Sequence, residues 1–175
     1  GDTTPLSGVR RSMAIAMAQA HQCIVPATIM DDANVSAWET KQDISLRILR
    51  ALTSACKVVP LLNCHFDSSQ MAYQLNNEIH VGLAIDSPNG LYVPVLKDIA
   101  NQSNQQLREQ INHFKHQVQE HSIAASDLKG ATIMLSNIGA IFGQYAAPVI
   151  LPPMVAIVVT GRIKVRAQQK NNQVV

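Results

Sequence analysis

Residues 154–165, "MVAIVVTGRIKV", open on six consecutive apolar residues and carry only Thr160, Arg162 and Lys164 as polar ones, so a strand built from them is near-continuously apolar and has little to offer water. Such a strand belongs in the centre of a sheet, covered by other elements. The rest of the chain offers that cover. Residues 103–120 place Leu107, Ile111, Phe114 and Val118 among Gln, Asn, Lys and Glu, the period of an amphipathic helix lying on a sheet. "DISLRILRALTSACKVVP" keeps the same period, with Ile44, Ile48, Leu49, Leu52, Ala55 and Cys56 on one side, and stops at Pro60. An earlier helix follows Ser7 as N-cap, with Val9, Met13, Met17 and Ala20 at helical spacing.

Between these helices the pattern turns extended. "CIVPATIMDDANVSAW" reads as a short strand entered from a turn at Pro26, and "LLNCHFD" with "MAYQL" reads as a hairpin across Ser68 and Ser69. "IHVGLAI" and "LYVPVLK" are two more strands joined by "DSPNG", whose Pro-Asn-Gly order is turn chemistry. "ATIMLS" is another strand, and after "AQQKNN" a last one begins with "QVV". The expectation is a single α/β domain, since 175 residues with 47% hydrophobic content suffice for one core and not for two.

Charge narrows the function classes. A formal net charge of +2, with 15% charged residues, provides no field to hold nucleic acid or a membrane surface. Low charge with this much apolar residue favours burial of surface against further copies of the chain. Cys23, Cys56 and Cys64 are odd in number and lack C-x-x-C spacing, so neither a disulfide framework nor a metal site is expected. There is no run near the ~18 apolar residues of a spanning helix and no signal pattern, and the protein is read as soluble and cytosolic or already processed.

The segment with the most chemical promise is "LSNIGAIFGQYAAPVILPP", residues 135–153. Ser136 lacks the G-x-S-x-G setting of a hydrolase nucleophile, because Met134 stands two residues before it. A hydroxyl at a strand end beside Gly139 and Gly143 can instead donate a hydrogen bond to a developing oxyanion. The alternative is that Ser136 and Asn137 hydrogen-bond only the backbone of their own turn. Neither G-x-G-x-x-G nor the P-loop pattern is present. His21, His65, His80, His113, His116 and His121 are the available bases, and none has a carboxylate at a sequence spacing expected to fix its tautomer.

In order, "GVRRSMAIAMAQAH", "DDANVSAW", "VPLLNCHFD", "IHVGLAIDSPNGLYVPVLKD", "LSNIG" and "PVILPPMVAIVVTGRI" resemble the catalytic core of the dihydrolipoyl acyltransferases of 2-oxo acid dehydrogenase complexes. The likeness runs from about Pro5 to Val175, and "GLYVPVLKD" together with "LSNIG" is its most specific part.

The resemblance implies a chloramphenicol acetyltransferase-like fold of α+β type, a mixed sheet flanked by helices. It implies homotrimers that build a larger cage, with lipoyl domains and the other components of the dehydrogenase complex as partners. It also implies acyl transfer between a dihydrolipoyl arm, carried on a separate domain, and coenzyme A. Ser136 matches the family's oxyanion donor, and Asp86, Ser136, Asn137 and Gly161 match positions lining the coenzyme A site. The acyl group expected is acetyl or branched-chain before succinyl, and the compartment a bacterial cytoplasm before a mitochondrial matrix.

Two departures qualify the likeness. "ETKQDI" after Trp38 is short, which touches the contacts relatives make there with the far end of coenzyme A. The family's H-x-x-x-D-G motif, whose histidine deprotonates the attacking thiol, does not occur in the 175 residues. The expectation is therefore a linker end at 1–8 and a core at 9–175 that is incomplete at its C-terminus and inactive by itself. Competing readings are a non-catalytic scaffold subunit of such a complex and a free-standing acetyltransferase acting on a small alcohol.

Overall fold

A computed structural model describes residues 1–38, 42–88, 90–139 and 143–165, together with the backbone of 169–170 and 173–174. The helices are α1 (Gly8–Cys23), α2 (Ile44–Val58) and α3 (Asn104–Gln119). The strands in chain order are β1 (Cys64–Asp67), β2 (Ala72–Leu75), β3 (Val81–Leu83), β4 (Ile85–Ser87), β5 (Gly90–Tyr92), β6 (Val95–Leu96), β7 (Ile133–Asn137) and β8 (Ile157–Thr160), then β9 (Gln169–Lys170) and β10 (Gln173–Val174).

α3 forms where its period and its cap agree. Ser103 Oγ accepts from the Gln106 N–H and Gln106 Oε1 accepts from the Ser103 N–H, a reciprocal capping box. Leu107, Ile111, Phe114 and Val118, the four residues picked out by spacing, are its buried side chains. Asp43 caps α2 by accepting from the Leu46 N–H, and Pro60 then opens a 3-10 turn, Pro60–Asn63. Ser7 stands at the N-cap of α1, although its side chain makes no capping bond.

β6, β3, β7 and β8 lie side by side in a mixed sheet, with β6 antiparallel to β3 and the β3–β7 and β7–β8 pairs parallel. Val81, Ile133 and Leu135 on one face of this sheet join Leu49, Leu52 and Cys56 of α2 and Leu107, Ile111 and Phe114 of α3 in one core. Each fully buried Leu or Ile contributes about 1.5–3 kcal/mol by leaving water. The two helices are also tied to each other and to the loop before α3. Arg108 Nε donates to Asp43 Oδ2 at 2.6 Å, and Arg50 donates to the carbonyls of Ile99 and Gln102 and to Asn104 Oδ1.

Three expectations change. The "CIVPATIM" stretch is not a strand: residues 24–30 have no ladder partner, and Val25 and Ile29 are 98% and 95% exposed. Apolar composition does not by itself make a strand, and among the described residues no strand lies beside it to pair with. The apolar run at 154–165 is not central either; β8 is the edge of the four-stranded sheet among the described residues, and β3 and β7 hold the middle. Finally, "IHVGLAI" and "LYVPVLK" each break in two. Pro94 accepts from the Leu83 N–H at 2.8 Å but has no N–H to return, so the β3–β6 ladder stops there, while β3 stays bonded to β7 through the Ala84 N–H to Leu135 O at 3.0 Å. The outer parts pair separately as β4 and β5.

The hairpin of β1 and β2 has the expected turn, with Cys64 opposite Leu75 and Asp67 opposite Ala72. β10 falls at "QVV", where a last strand was expected, but its antiparallel partner β9, Gln169–Lys170, lies inside the "AQQKNN" stretch read as the connection before it. The 171–172 turn, Val175, Asn89 of the "DSPNG" turn and residues 39–41 of "ETKQDI" lie outside the described residues.

Candidate active site

The three parallel strands end together. Leu83 of β3 is level with Leu135 of β7, which is level with Val158 of β8. One step further along the chain stand Ala84, Ser136 and Val159, and beyond them Asn137 faces Thr160. The carboxyl edge of parallel strands is where open sheets of this class receive ligands. Asp86 lies two residues past Ala84 on β4, opposite Leu91, and is exposed. Four residues singled out from sequence, Asp86, Ser136, Asn137 and Gly161, thus come from three separated segments to one edge of the sheet.

Strand alternation separates Ser136 from Asn137. Ile133, Leu135 and Asn137 share the face that meets α2 and α3, whereas Met134 and Ser136 share the opposite one. Among the described residues the Ser136 hydroxyl, half-buried, makes no hydrogen bond, nor does the Asp86 carboxylate. Asn137 behaves differently: its Oδ1 accepts from the Gly139 N–H at 3.1 Å, closing an Asx turn. The turn-forming alternative therefore describes Asn137 Oδ1 but not Ser136.

Gly139, Gly143 and Gly161 interlock at the loop that follows Ser136. The Ile138 N–H reaches Thr160 O at 3.0 Å, extending the ladder one step past β7. A Cβ on Gly139 would lie 2.8 Å from the Gly161 carbonyl oxygen, and one on Gly161 would fall on the carbonyl of Gln144. The Arg162 N–H donates to Gly143 O at 2.7 Å, and Arg162 Nε donates to Gly139 O at 3.1 Å. Arg162 and Gln144 were not singled out from sequence; only the return of the loop onto β8 brings them there. Thr160 Oγ1, beside Asn137, is buried and has no hydrogen-bond partner among the described residues.

The four residues differ in what they leave open to a coenzyme. Ser136 Oγ, the Asp86 carboxylate and Asn137 Nδ2 are open to an incoming group. The space at Gly161 is filled by Gln144 of this chain, so that glycine shapes the loop.

No histidine on the strands shares this edge. His80 precedes β3 and lies in register with Thr132, at the amino end of β7, while Ser136 is four residues along that strand, roughly 13 Å at ~3.3 Å per residue. His65, Glu78, His80 and Thr132 line a depression of about 310 Å³ at this far edge. His80 does have its tautomer fixed, against expectation. Its Nδ1 accepts from the Asp98 N–H at 2.9 Å, which puts the proton on Nε2, 3.3 Å from Glu78 Oε2. The spacing of two residues concealed this because it depends on a bend before β3.

Comparison with solved structures gives the class. The truncated catalytic core of the 2-oxoacid dehydrogenase multienzyme complex from Thermoplasma acidophilum superposes with a TM-score of 0.85 at 27% identity, over 95% of this chain and 82% of that one. The dihydrolipoamide acetyltransferase of Azotobacter vinelandii reaches 0.92 over 99% of this chain and 76% of that one, at 20% identity, a likeness of fold alone. The architecture is thus the chloramphenicol acetyltransferase-like one, an α+β fold with a mixed sheet.

Residues 1–175 match the family 2-oxoacid dehydrogenases acyltransferase (catalytic domain), and the chain belongs to that family. Among curated relatives, the dihydrolipoyllysine-residue acetyltransferase component of the pyruvate dehydrogenase complex of Bacillus subtilis is 31% identical over 97% of this chain. Its Staphylococcus aureus counterpart is 32% identical over 99%. The chain spans 42% and 44% of the length of these two relatives.

Proposed function

We propose that the protein transfers an acetyl group between coenzyme A and a dihydrolipoyl arm carried on a separate domain, within a 2-oxo acid dehydrogenase complex, and that Ser136 stabilises the oxyanion. The observation that carries this reading is the half-buried Ser136 hydroxyl at the carboxyl edge of the parallel strands, without a hydrogen bond among the described residues, beside Gly139 and Gly161, whose side-chain positions are filled by backbone. Family membership and the acetyltransferase relatives support the choice of substrates.

In this reaction a thiolate attacks a thioester carbonyl; the new C–S bond forms, the old one breaks, and the proton lost by the attacking thiol ends on the leaving one. Ser136 donates its hydroxyl hydrogen to the carbonyl oxygen as negative charge gathers there, and it is not acylated. Asp86 and Asn137 Nδ2 are assigned to binding coenzyme A beside it, and Gly161 to the wall of the same site. The base that takes the thiol proton is not assigned to any of the 175 residues, because the family's H-x-x-x-D-G histidine is absent from them.

The reading places residues 1–8 in a linker and 9–175 in the catalytic core. It assembles the chain as homotrimers within a larger cage, in a bacterial cytoplasm. The exposed apolar side chains of the 24–30 segment, Val25, Ile29 and Met30, supply surface for such contacts.

The test is acetyl transfer from acetyl-CoA to dihydrolipoamide by protein expressed from its complete reading frame. Ser136→Ala is expected to lower kcat by about 10²–10³-fold. An unchanged kcat would remove Ser136 from the mechanism. Turnover on chloramphenicol with none on dihydrolipoamide would replace the reading by a small-alcohol acetyltransferase, and no turnover on either by a scaffold subunit.

A further inference from the structure

We propose that Arg162 is a positioning residue that holds the strand end carrying Ser136 in place, by gripping both ends of the loop that follows it. The proposal rests on the oxyanion role of Ser136.

The loop begins and ends on this one residue. At its start, Arg162 Nε donates to the Gly139 carbonyl at 3.1 Å; at its end, the Arg162 N–H donates to the Gly143 carbonyl at 2.7 Å. Close packing reinforces both contacts. The Cα of Gly139 lies so near the next strand that a Cβ there would stand 3.0 Å from Arg162 Cα, and Gly161, the residue before Arg162, is pressed against Gln144. Without the side-chain contact, the backbone bonds from Ile138 N–H to Thr160 O and from Arg162 N–H to Gly143 O would remain, among the described residues, and nothing would hold the Gly139 carbonyl.

Arg162 is exposed, and among the described residues it has no carboxylate partner; its one side-chain hydrogen bond goes to the main chain 23 positions earlier, at the residue that opens the loop. Preorganisation gives the contact a use. An oxyanion donor acts only if it already stands where the charge will form, so restraint on its strand end appears in the transition state and not in substrate binding. A residue that works in this way affects kcat and leaves KM nearly unchanged.

The experiment is a double-mutant cycle in protein expressed from its complete reading frame, with acetyl-CoA and dihydrolipoamide as substrates. Arg162→Gln is expected to lower kcat about tenfold with KM for acetyl-CoA within about twofold, because only transition-state stabilisation is lost. Arg162→Lys, which keeps one donor for Gly139 O, is expected to recover most of that rate. In the Ser136→Ala background, Arg162→Gln is expected to cause no further loss, since it acts through the missing hydroxyl.

Additive losses in the cycle would overturn the proposal while leaving the role of Ser136 intact. So would a rise in KM with kcat unchanged, which would make Arg162 a substrate contact, or a lower melting temperature with kcat unchanged. A silent Ser136→Ala would instead sink the oxyanion reading, and this proposal with it.

Discussion

Gly161 and Gln144 occupy the same space: a Cβ on Gly161 would lie 2.7 Å from the carbonyl carbon of Gln144 and 2.9 Å from its Cα. The glycine is required because backbone fills its side-chain position. Its place at the end of β8 makes it the floor on which the loop after Ser136 lands.

That contact gives the first prediction. Gly161→Ala forces the 143–144 segment off β8 and is expected to lower kcat for acetyl transfer by at least about tenfold, with folding retained, through misplacement of the site. Gly143→Ala is the comparison: a Cβ there meets nothing within 4 Å, but its φ of +135° strains any other residue. Its cost is expected in stability, read by thermal unfolding, rather than through a clash with β8.

A buried network tests the fold apart from the site. Asn63, 3% exposed, donates to the Asn76 and Glu78 carbonyls and accepts from Thr132 Oγ1. Asn63→Ala removes the donor to the Asn76 and Glu78 carbonyls at the join between the β1–β2 hairpin and the sheet, while Thr132 Oγ1 still donates to His80 O and accepts from the His80 N–H. Denaturant unfolding is expected to show a loss of about 2–4 kcal/mol. A change below about 0.5 kcal/mol, the range of ordinary surface substitutions, would mean water replaces the amide.

The Asp43–Arg108 pair predicts a pH dependence. Burial pushes the Asp43 carboxyl up, but the hydrogen bond from Arg108, the Leu46 N–H and the Arg108 charge outweigh it and hold the carboxyl below its ordinary 3.8. A depressed carboxylate stabilises the fold above its unfolded value and loses that contribution as pH falls through its folded value. Arg108→Gln is thus expected to lower the melting temperature by about 2–4 °C at pH 7, for a loss near 1 kcal/mol. The gap between the two proteins should close as pH drops below 3.8. A gap that stayed constant down to acid would assign the loss to packing.

Thiol reactivity separates the three cysteines. Cys23 is exposed at the end of α1, while burial encloses Cys56 and Cys64 and pushes their thiols up. One thiol is expected to react with a disulfide reagent in the folded protein, and all three after denaturation. Rapid reaction of a second thiol under native conditions would show that α2 or β1 opens.

Much of this was legible from local pattern. The period of Leu107, Ile111, Phe114 and Val118 is a property of 12 consecutive residues, and α3 buries those four side chains. Ser136 was likewise legible, because a hydroxyl at the end of an apolar run before a glycine-spaced loop needs no distant partner to be noticed. The "CIVPATIM" segment shows the limit: extended propensity does not supply a neighbour, and without one there is no strand.

By itself, then, the sequence determined the helices and the β1–β2 hairpin, since each depends on spacing within a short window, and the family, through the order of its segments along the whole chain. Only the tertiary structure decided that β8 lies at an edge of the four-stranded sheet among the described residues, which face of that sheet meets α2 and α3, and that Arg162 donates to the carbonyls of Gly139 and Gly143. Those depend on which strand lies beside which. Parallel neighbours such as β3 and β7 are joined by long connections, so hydrogen-bond register sets their alignment, and no pattern along the chain records it.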